Sequence, residues 1–320
     1  MEVVASDDPM IDAELLAERL GPDVTVTVAE TGTEAAVSEA AADADALVAD
    51  VSTTVTAAVL DACERLRIVA RAGVGIDTID VGAAAERDVV VTNVPEYCTE
   101  EVATHTVALA LAALRSLGRY DRDVKAGGWD WRAGGEIHRL SGLTLGFVSY
   151  GPIARRVREL VEGFGVEVVA YDPYVDSEEM AADGVESVDF ADLLDRTELL
   201  SVNAPLTEET RGMVDADAFE RLADHAVVVN TGRGGVVDEA ALAEALDRGE
   251  VAGAGLDVFA AEPPTDSPLF DRDDAILTPH AAWYSEEARA DLHETVAANV
   301  RAALSGERPP DRIDPELDWV

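Results

Sequence analysis

The sequence predicts an α/β protein made of two doubly wound, Rossmann-like units on parallel sheets, and three observations carry that expectation. The chain has 320 residues, about twice one typical domain. Its residues are 48% hydrophobic, enough for buried cores and too many for a disordered chain. Short β-branched runs alternate with helical segments twice along the chain, as strands and crossover helices do in parallel sheets.

The first series has strand-like runs at Val24–Val28, Ala46–Asp50, Ile68–Ala70 and Val89–Thr92. Between them, Asp12–Leu20, Glu34–Ala42 and Thr56–Arg65 show helical apolar spacing. A longer helix is expected over Thr99–Leu117, with Thr99 as cap and Glu100 and Glu101 in its first turn. Gly127–Leu140 has no period and reads as an excursion. The second series places strands at Thr144–Val148, Glu167–Tyr171, Leu199–Asn203, Val227–Asn230, Gly253–Val258 and Ala275–Thr278. Helices fall at Ile153–Phe164, Ala191–Arg196, Ala218–Leu222, Glu239–Arg248 and Ser285–Leu304.

Charge and cysteine usage narrow the function classes. Aspartate and glutamate number 65 against 24 lysines and arginines, a formal net charge of −41, and Lys125 is the single lysine. Such a surface repels phosphate backbones and anionic lipids, so nucleic-acid and membrane partners are not expected. The acids are spread through amphipathic segments, which fits a folded surface adapted to a very salty cytoplasm. Two cysteines, Cys63 and Cys98, make neither a disulfide framework nor a thiolate zinc site, and no cluster has metal-ligand spacing. The start MEVVASDDPM lacks the basic, apolar and cleavage regions of an export signal. The longest apolar stretch, Val107–Leu114, is too short for a bilayer span. A cytoplasmic location is the expectation.

One motif points to a dinucleotide. Gly146–Ala154 follows a strand and opens a helix, and laid on G-x-G-x-x-G/A it gives Ser149, Gly151 and Ala154. Ser149 stands where the turn glycine is usual, so the motif alone is weak. Asp172 ends the next strand, 21 residues after Gly151, where a carboxylate can accept from ribose hydroxyls. Three further strand ends carry polar residues: Asn230–Asp238 with Arg233, Asp257–Pro264 with Glu262, and Thr278–His280. Each alone has a bland reading, as a turn arginine, a surface glutamate or a loop histidine.

Together the runs NTGRGGVVDEAAL, GLDVFAAEPP and LTPHAAWYS resemble the D-isomer-specific 2-hydroxyacid dehydrogenases, and the resemblance covers nearly the whole chain. Arg71–Asp77, Asn93–Glu101, Gly128–Trp131 and His280–Ser285 look like the C-terminal-binding-protein-like subgroup, here in a halophile-type acidic member. The resemblance implies an interleaved architecture, with a substrate-side, flavodoxin-like domain at 1–98 and 284–320. A Rossmann cofactor domain at 99–283 would be inserted into it, with a cleft that closes on NAD and substrate. Also implied is a homodimer through the cofactor domain.

The resemblance assigns His280 as the acid/base, Glu262 as its partner and Arg233 as the group holding the keto acid. These roles suit the residue types: a guanidinium fork for a carboxylate and its neighbouring carbonyl, an imidazole for proton transfer. Substrate contacts would come from Arg71, from backbone N–H groups of Ala72, Gly73, Val74 and Gly75, and from Trp283. Cofactor contacts would come from Val74, Val102, Tyr150, Gly151, Pro152, Ile153, Asp172, Ala204, Pro205, Thr210, Thr231, Gly232, Arg233, Asp257 and His280. No metal is expected.

The expected function is NAD-dependent interconversion of a small 2-keto acid and its D-2-hydroxy acid. Two alternatives stay open: a phosphoglycerate dehydrogenase-like enzyme, and an NAD(H)-sensing, corepressor-like binding protein. The expectation set against the second is that the chain stops soon after its last helix and adds no recruiting extension. Against the first, 320 residues leave no room for an appended regulatory domain. His105 and His293 read as packing residues, His138 as one that could approach the cleft, and Cys98 as structural.

Overall fold

The structure is a computed structural model and describes residues 1–315. The last five residues of the expected 284–320 segment therefore lie outside the described residues. The chain divides into two compact units, one of Met1–Tyr97 with the segment from Tyr284 onward, the other of Cys98–Trp283.

In the first unit β1 (Glu2–Ser6), β2 (Thr25–Ala29), β3 (Ala46–Ala49), β4 (Ile68–Arg71) and β5 (Val90–Thr92) form one sheet in the order β2-β1-β3-β4-β5. All its pairs are parallel. Parallel pairing requires crossovers, supplied by α1 (Ala13–Leu20), α2 (Glu34–Ala41), α3 (Ala57–Ala62) and α4 (Val81–Ala85). Each begins on an Asp or Thr, respectively Asp12, Thr33, Thr56 and Asp80, whose side chain accepts the N–H three residues on. The closing helix, Glu286–Ser305, packs on α1 and β4. His293 fastens it there: its Nε2 accepts from Asp12 N at 2.8 Å, so its Nδ1 donates to Arg289 O at 2.7 Å. The central strands β3 and β4 are buried throughout, while β2 lies at the sheet edge and is largely exposed.

In the second unit the chain runs through α5 (Thr99–Leu114), α6 (Leu117–Lys125), β6 (Thr144–Val148), α7 (Pro152–Leu160), β7 (Glu167–Tyr171), α8 (Ser177–Ala182) and β8 (Glu186–Ser187). It continues through α9 (Phe190–Arg196), β9 (Leu199–Val202), α10 (Ala216–Arg221), β10 (Val227–Asn230), α11 (Glu239–Arg248), β11 (Gly253–Leu256) and β12 (Ala275–Leu277). Among the described residues seven parallel strands result, in the order β12-β11-β10-β9-β6-β7-β8. The order reverses between β6 and β9, the topological switch point at which open α/β sheets bind ligands. The α/β fold class with two parallel sheets is the one the sequence predicts.

Two local expectations need correction. The single helix over 99–117 is broken at Arg115–Ser116, where Ser116 takes φ +50° and its hydroxyl donates to Gly134 O at 2.8 Å. Its N-cap is Cys98, whose side chain makes no capping hydrogen bond, and Thr99 is already helical. The excursion after α6 is irregular apart from one short turn at Trp131–Gly134, and it leaves Trp129 and Trp131 91% and 78% exposed.

Candidate active site

All the polar strand ends of the second unit lie on one sheet edge, because every strand in it runs the same way. At the switch point β6 ends in Ser149-Tyr150-Gly151, and Pro152 opens α7 at its first position, where its fixed φ suits a helix start. Ser149 adopts φ +73°, the left-handed conformation for which the fingerprint normally uses glycine. Asp172, just past β7, holds the turn: one oxygen accepts from Ser149 Oγ at 3.0 Å and Tyr150 N at 2.9 Å, the other from Tyr174 N at 2.9 Å. A Cβ built on Gly151 would meet nothing within 4 Å, so space remains beside the first turn of α7. A turn of this shape at a helix N-terminus, with a carboxylate at the next strand end, fits a dinucleotide.

β10 leads into Thr231-Gly232-Arg233. Asn230 folds this loop by accepting from Gly232 N and donating to Arg233 O, both at 3.0 Å. Thr231 pairs with Thr106 of α5 at 2.7 Å, and the half-buried Arg233 donates to Gly232 O at 3.0 Å. Gly234 must be glycine, since a Cβ there would lie 1.9 Å from the Phe259 carbonyl carbon. The β10 loop thus rests directly on the backbone of the segment carrying Glu262.

His280 follows β12. Its Nδ1 lies 2.6 Å from Glu262 Oε2, and Glu262 Oε1 accepts from Phe259 N at 2.8 Å. With Nδ1–H given to the carboxylate, Nε2 is the nitrogen left for proton exchange. His280 has φ +50°, rare for a residue with a side chain, and Asp257 imposes it. Asp257 is 1% exposed: its carboxylate accepts from Thr278 Oγ1 at 2.5 Å and from Ala281 N and Ala282 N at 2.9 Å, while its carbonyl accepts from His280 N at 2.8 Å. His105 completes the set, 3.0 Å from Thr278 Oγ1. Thr278, read from the sequence only as the start of a polar strand end, and His105, read as a packing residue, are therefore site-building residues.

The first unit holds the other expected residues. Arg71 ends β4 at 1% exposure, and its guanidinium donates to Gly75 O at 2.6 Å and Thr78 Oγ1 at 2.8 Å. Its accessible surface is nearly nil, so what it does visibly is shape the loop after β4. Ala72 leaves the set of N–H donors, because its N–H continues the sheet to Ala49 O at 2.8 Å; Gly73, Val74 and Gly75 follow it.

The other expected contacts divide by burial. Val102 and Ala204 are buried, Val74 and Pro205 exposed, Thr210 and Trp283 between. Thr210 braces its own loop by donating to Pro205 O at 2.5 Å. Tyr150 is a correction: its ring is fully buried in the core, its hydroxyl bonds Asp183 Oδ2 at 3.2 Å, and burial beside Asp183 pushes the phenol up to about 12. Only its backbone faces the turn. His138 stacks on His225 with ring centres 4.3 Å apart, at the strand N-terminal side of the sheet.

These features define an α/β fold of the dinucleotide-binding kind that carries a histidine–carboxylate couple. The model of the D-isomer specific 2-hydroxyacid dehydrogenase NAD-binding domain matches residues 107–282, and the chain belongs to that family. A D-3-phosphoglycerate dehydrogenase of Mycobacterium leprae is 41% identical over 98% of this chain and 59% of its own length. The chain thus spans about three fifths of that relative. A glyoxylate reductase of Korarchaeum cryptofilum is 40% identical over 86% of this chain and 84% of its own. The crystal structure of the D-lactate dehydrogenase of Aquifex aeolicus, complexed with NAD and lactic acid, superposes with a TM-score of 0.87 at 28% identity, covering 95% of this chain and 96% of that one.

Proposed function

We propose that this chain interconverts a 2-oxo acid and its D-2-hydroxy acid with NAD, as a C-terminal-binding-protein-like, salt-adapted member of its family. The observation that carries the reading is the His280–Glu262 couple, fixed by Asp257 on the sheet edge that also bears the Ser149–Gly151 turn. When bound, NAD supplies or takes the hydride at the substrate's second carbon. His280 gives a proton from Nε2 to the carbonyl oxygen as that oxygen gains charge, and recovers it in the reverse direction. Glu262 remains a carboxylate, fixes the tautomer and steadies the imidazolium. Arg233 holds the substrate carboxylate with its planar fork, and the N–H groups of Gly73–Gly75 remain assigned to the substrate.

Gly151 and Ile153 offer the first N–H groups of α7 to the pyrophosphate, and Asp172 accepts from the adenosine ribose. Val74, Val102, Ala204, Pro205, Thr210, Thr231, Gly232 and Asp257 remain the assigned surroundings of the cofactor, and Trp283 of the substrate. The exposed Trp129 and Trp131 of the excursion support a homodimer formed through the second unit. Among the described residues no helix is long and apolar enough to cross a membrane, and no group of His, Cys, Asp or Glu is arranged to hold a metal.

A second reading, D-3-phosphoglycerate oxidation, draws support from relatives of that name, one of them 42% identical over 94% of this chain. The test of the main reading is NADH oxidation with a panel of 2-oxo acids in molar KCl. His280→Ala should lower kcat by about 10²–10⁴ with NADH binding nearly unchanged, as for a lost general acid. A wild-type rate in that variant would remove His280 from the mechanism.

A further inference from the structure

In the second unit one helix reaches both the loop that carries Arg233 and the turn that carries His280. α5 lies so close on β11 that a Cβ on Gly255 would stand 3.0 Å from Leu109 Cβ. His105 is one helical turn before Leu109 and shares its face, which brings it to Asp257, just past the end of β11. Its neighbour Thr106 donates to Val102 O at 2.7 Å and therefore accepts from Thr231 Oγ1, also at 2.7 Å. Thr231 opens the loop of Arg233.

The same bookkeeping of hydrogens fixes the direction of the bonds around His105. Thr278 Oγ1 has one hydrogen, and at 2.5 Å from a carboxylate oxygen that hydrogen goes to Asp257 Oδ1. Oγ1 is then the acceptor toward His105 Nε2 at 3.0 Å, so Nε2 carries a hydrogen whether the ring is neutral or charged. Nε2 also stands 3.6 Å from Asp257 Oδ1, beside a carboxylate that is buried. Asp257 in turn holds both flanks of His280, through Thr278 before it and through Ala281 N and Ala282 N after it. A directional chain thus runs from α5 to the strained turn at His280, and each bond in it polarises the next.

Resting on the function proposed above, we infer that His105 is a positioning residue for the reaction: its Nε2–H commits the Thr278 hydroxyl to Asp257, and through that carboxylate it sets where His280 presents its own Nε2. Without this donor the acceptor side of Thr278 Oγ1 is open to water, and the clamp that keeps His280 at φ +50° slackens. The loss falls on proton transfer, which depends on the placement of one nitrogen. Binding of the cofactor and of the substrate carboxylate rests on other groups, the Ser149–Gly151 turn and Arg233. A misplacement of about 1 Å costs on the order of 10²-fold in rate, so a loosened turn should cost about tenfold.

Glutamine and asparagine separate the two ring nitrogens, because a glutamine amide reaches as far as Nε2 and an asparagine amide only as far as Nδ1. The assay uses NADH in molar KCl with the 2-oxo acid that the wild type reduces fastest. His105→Asn should lower kcat about tenfold, with KM and the Kd for NADH within about twofold of wild type. His105→Gln should recover most of the rate. Thr278→Val, which keeps the shape and drops the hydroxyl, should be slowed at least as much, and adding His105→Asn to it should cost little more, since both changes cut one chain. Thr278→Val carries the test if His105→Asn does not fold. A wild-type kcat in either single variant, a His105→Gln as slow as His105→Asn, additive losses in the double variant, or a loss that appears in KM or NADH affinity instead overturns the inference. Each of these leaves the proposed chemistry standing as long as His280→Ala is slow. A wild type that reduces no 2-oxo acid, or a His280→Ala variant with the wild-type rate, overturns the inference and the proposed function together.

Discussion

At the scale of single residues, the site is built by side chains that never need to touch a substrate. His280 is held at φ +50°, a conformation costing on the order of 1–3 kcal/mol. It persists because Asp257, from a different strand end, bonds Thr278, Ala281 and Ala282 at once. Arg233, Glu262, His280 and Asp172 were legible in the sequence, as polar residues ending apolar runs. The bracing roles of Thr278 and His105 were not: their bonds join residues 21 and 173 positions apart, and no local pattern marks such a pair. Tyr150 misled for the opposite reason, since it sits inside the motif while its ring belongs to the core. Asp172 carries the prediction at this scale. It anchors the turn and has no cation in the following Pro173–Glu179 to offset a ribose phosphate, so NADH should be preferred to NADPH by about tenfold. Asp172→Ser should narrow that gap chiefly by weakening NADH. Measured kcat/KM for both cofactors in the same salt checks it, and an NADPH preference in the wild type contradicts it.

At the scale of elements, strands and long crossover helices were readable because apolar runs and helical spacing set them. Short or irregular elements were not. β1 has just three apolar residues between Glu2 and Ser6 and no preceding pattern, α4 has five residues and cannot show a period, and the α5–α6 break lies in a stretch whose apolar spacing continues past Ser116. The sheet's other edge has its own device. His225 lies between α10 and β10, 2.8 Å from Glu198 Oε1 and 3.1 Å from Asp224 Oδ1, while Glu198 Oε2 accepts from Thr144 N at 2.9 Å. The Glu198 hydrogen bond raises the imidazole, partial burial lowers it, and Asp224 adds to the rise, for a net upward shift. A raised folded value means protonated His225 adds stability below the ordinary imidazole value of about 6.5, and that the gain fades as pH climbs through the folded value. The difference in unfolding free energy between wild type and His225→Gln should therefore be largest at acidic pH and shrink above neutrality. Urea titrations across that range measure it, and a difference that grows with pH would contradict the assignment.

At the scale of the molecule, charge is the governing quantity. Arginines are placed between acids, as Arg156 is between Glu100 and Glu159 and Arg272 between Asp274 and Asp247. Exposed pairs such as Arg156–Glu100 are each worth about 0–1 kcal/mol, too little to offset a surplus of 41 negative charges. That surplus was legible from composition alone, whereas the partner each arginine takes depended on the fold. Self-repulsion opposes compaction, and it weakens as the Debye length falls from about 10 Å at 0.1 M salt to about 3 Å at 1 M. The melting temperature should therefore climb steeply with KCl across that range. Potassium sulfate at matched ionic strength separates this from surface exclusion, because excluded anions strengthen apolar burial whatever the protein's charge. If screening governs, the two salts should give similar early rises and diverge only at high concentration. A melting temperature flat between dilute buffer and molar KCl would show that the acidic surface is not adapted to salt.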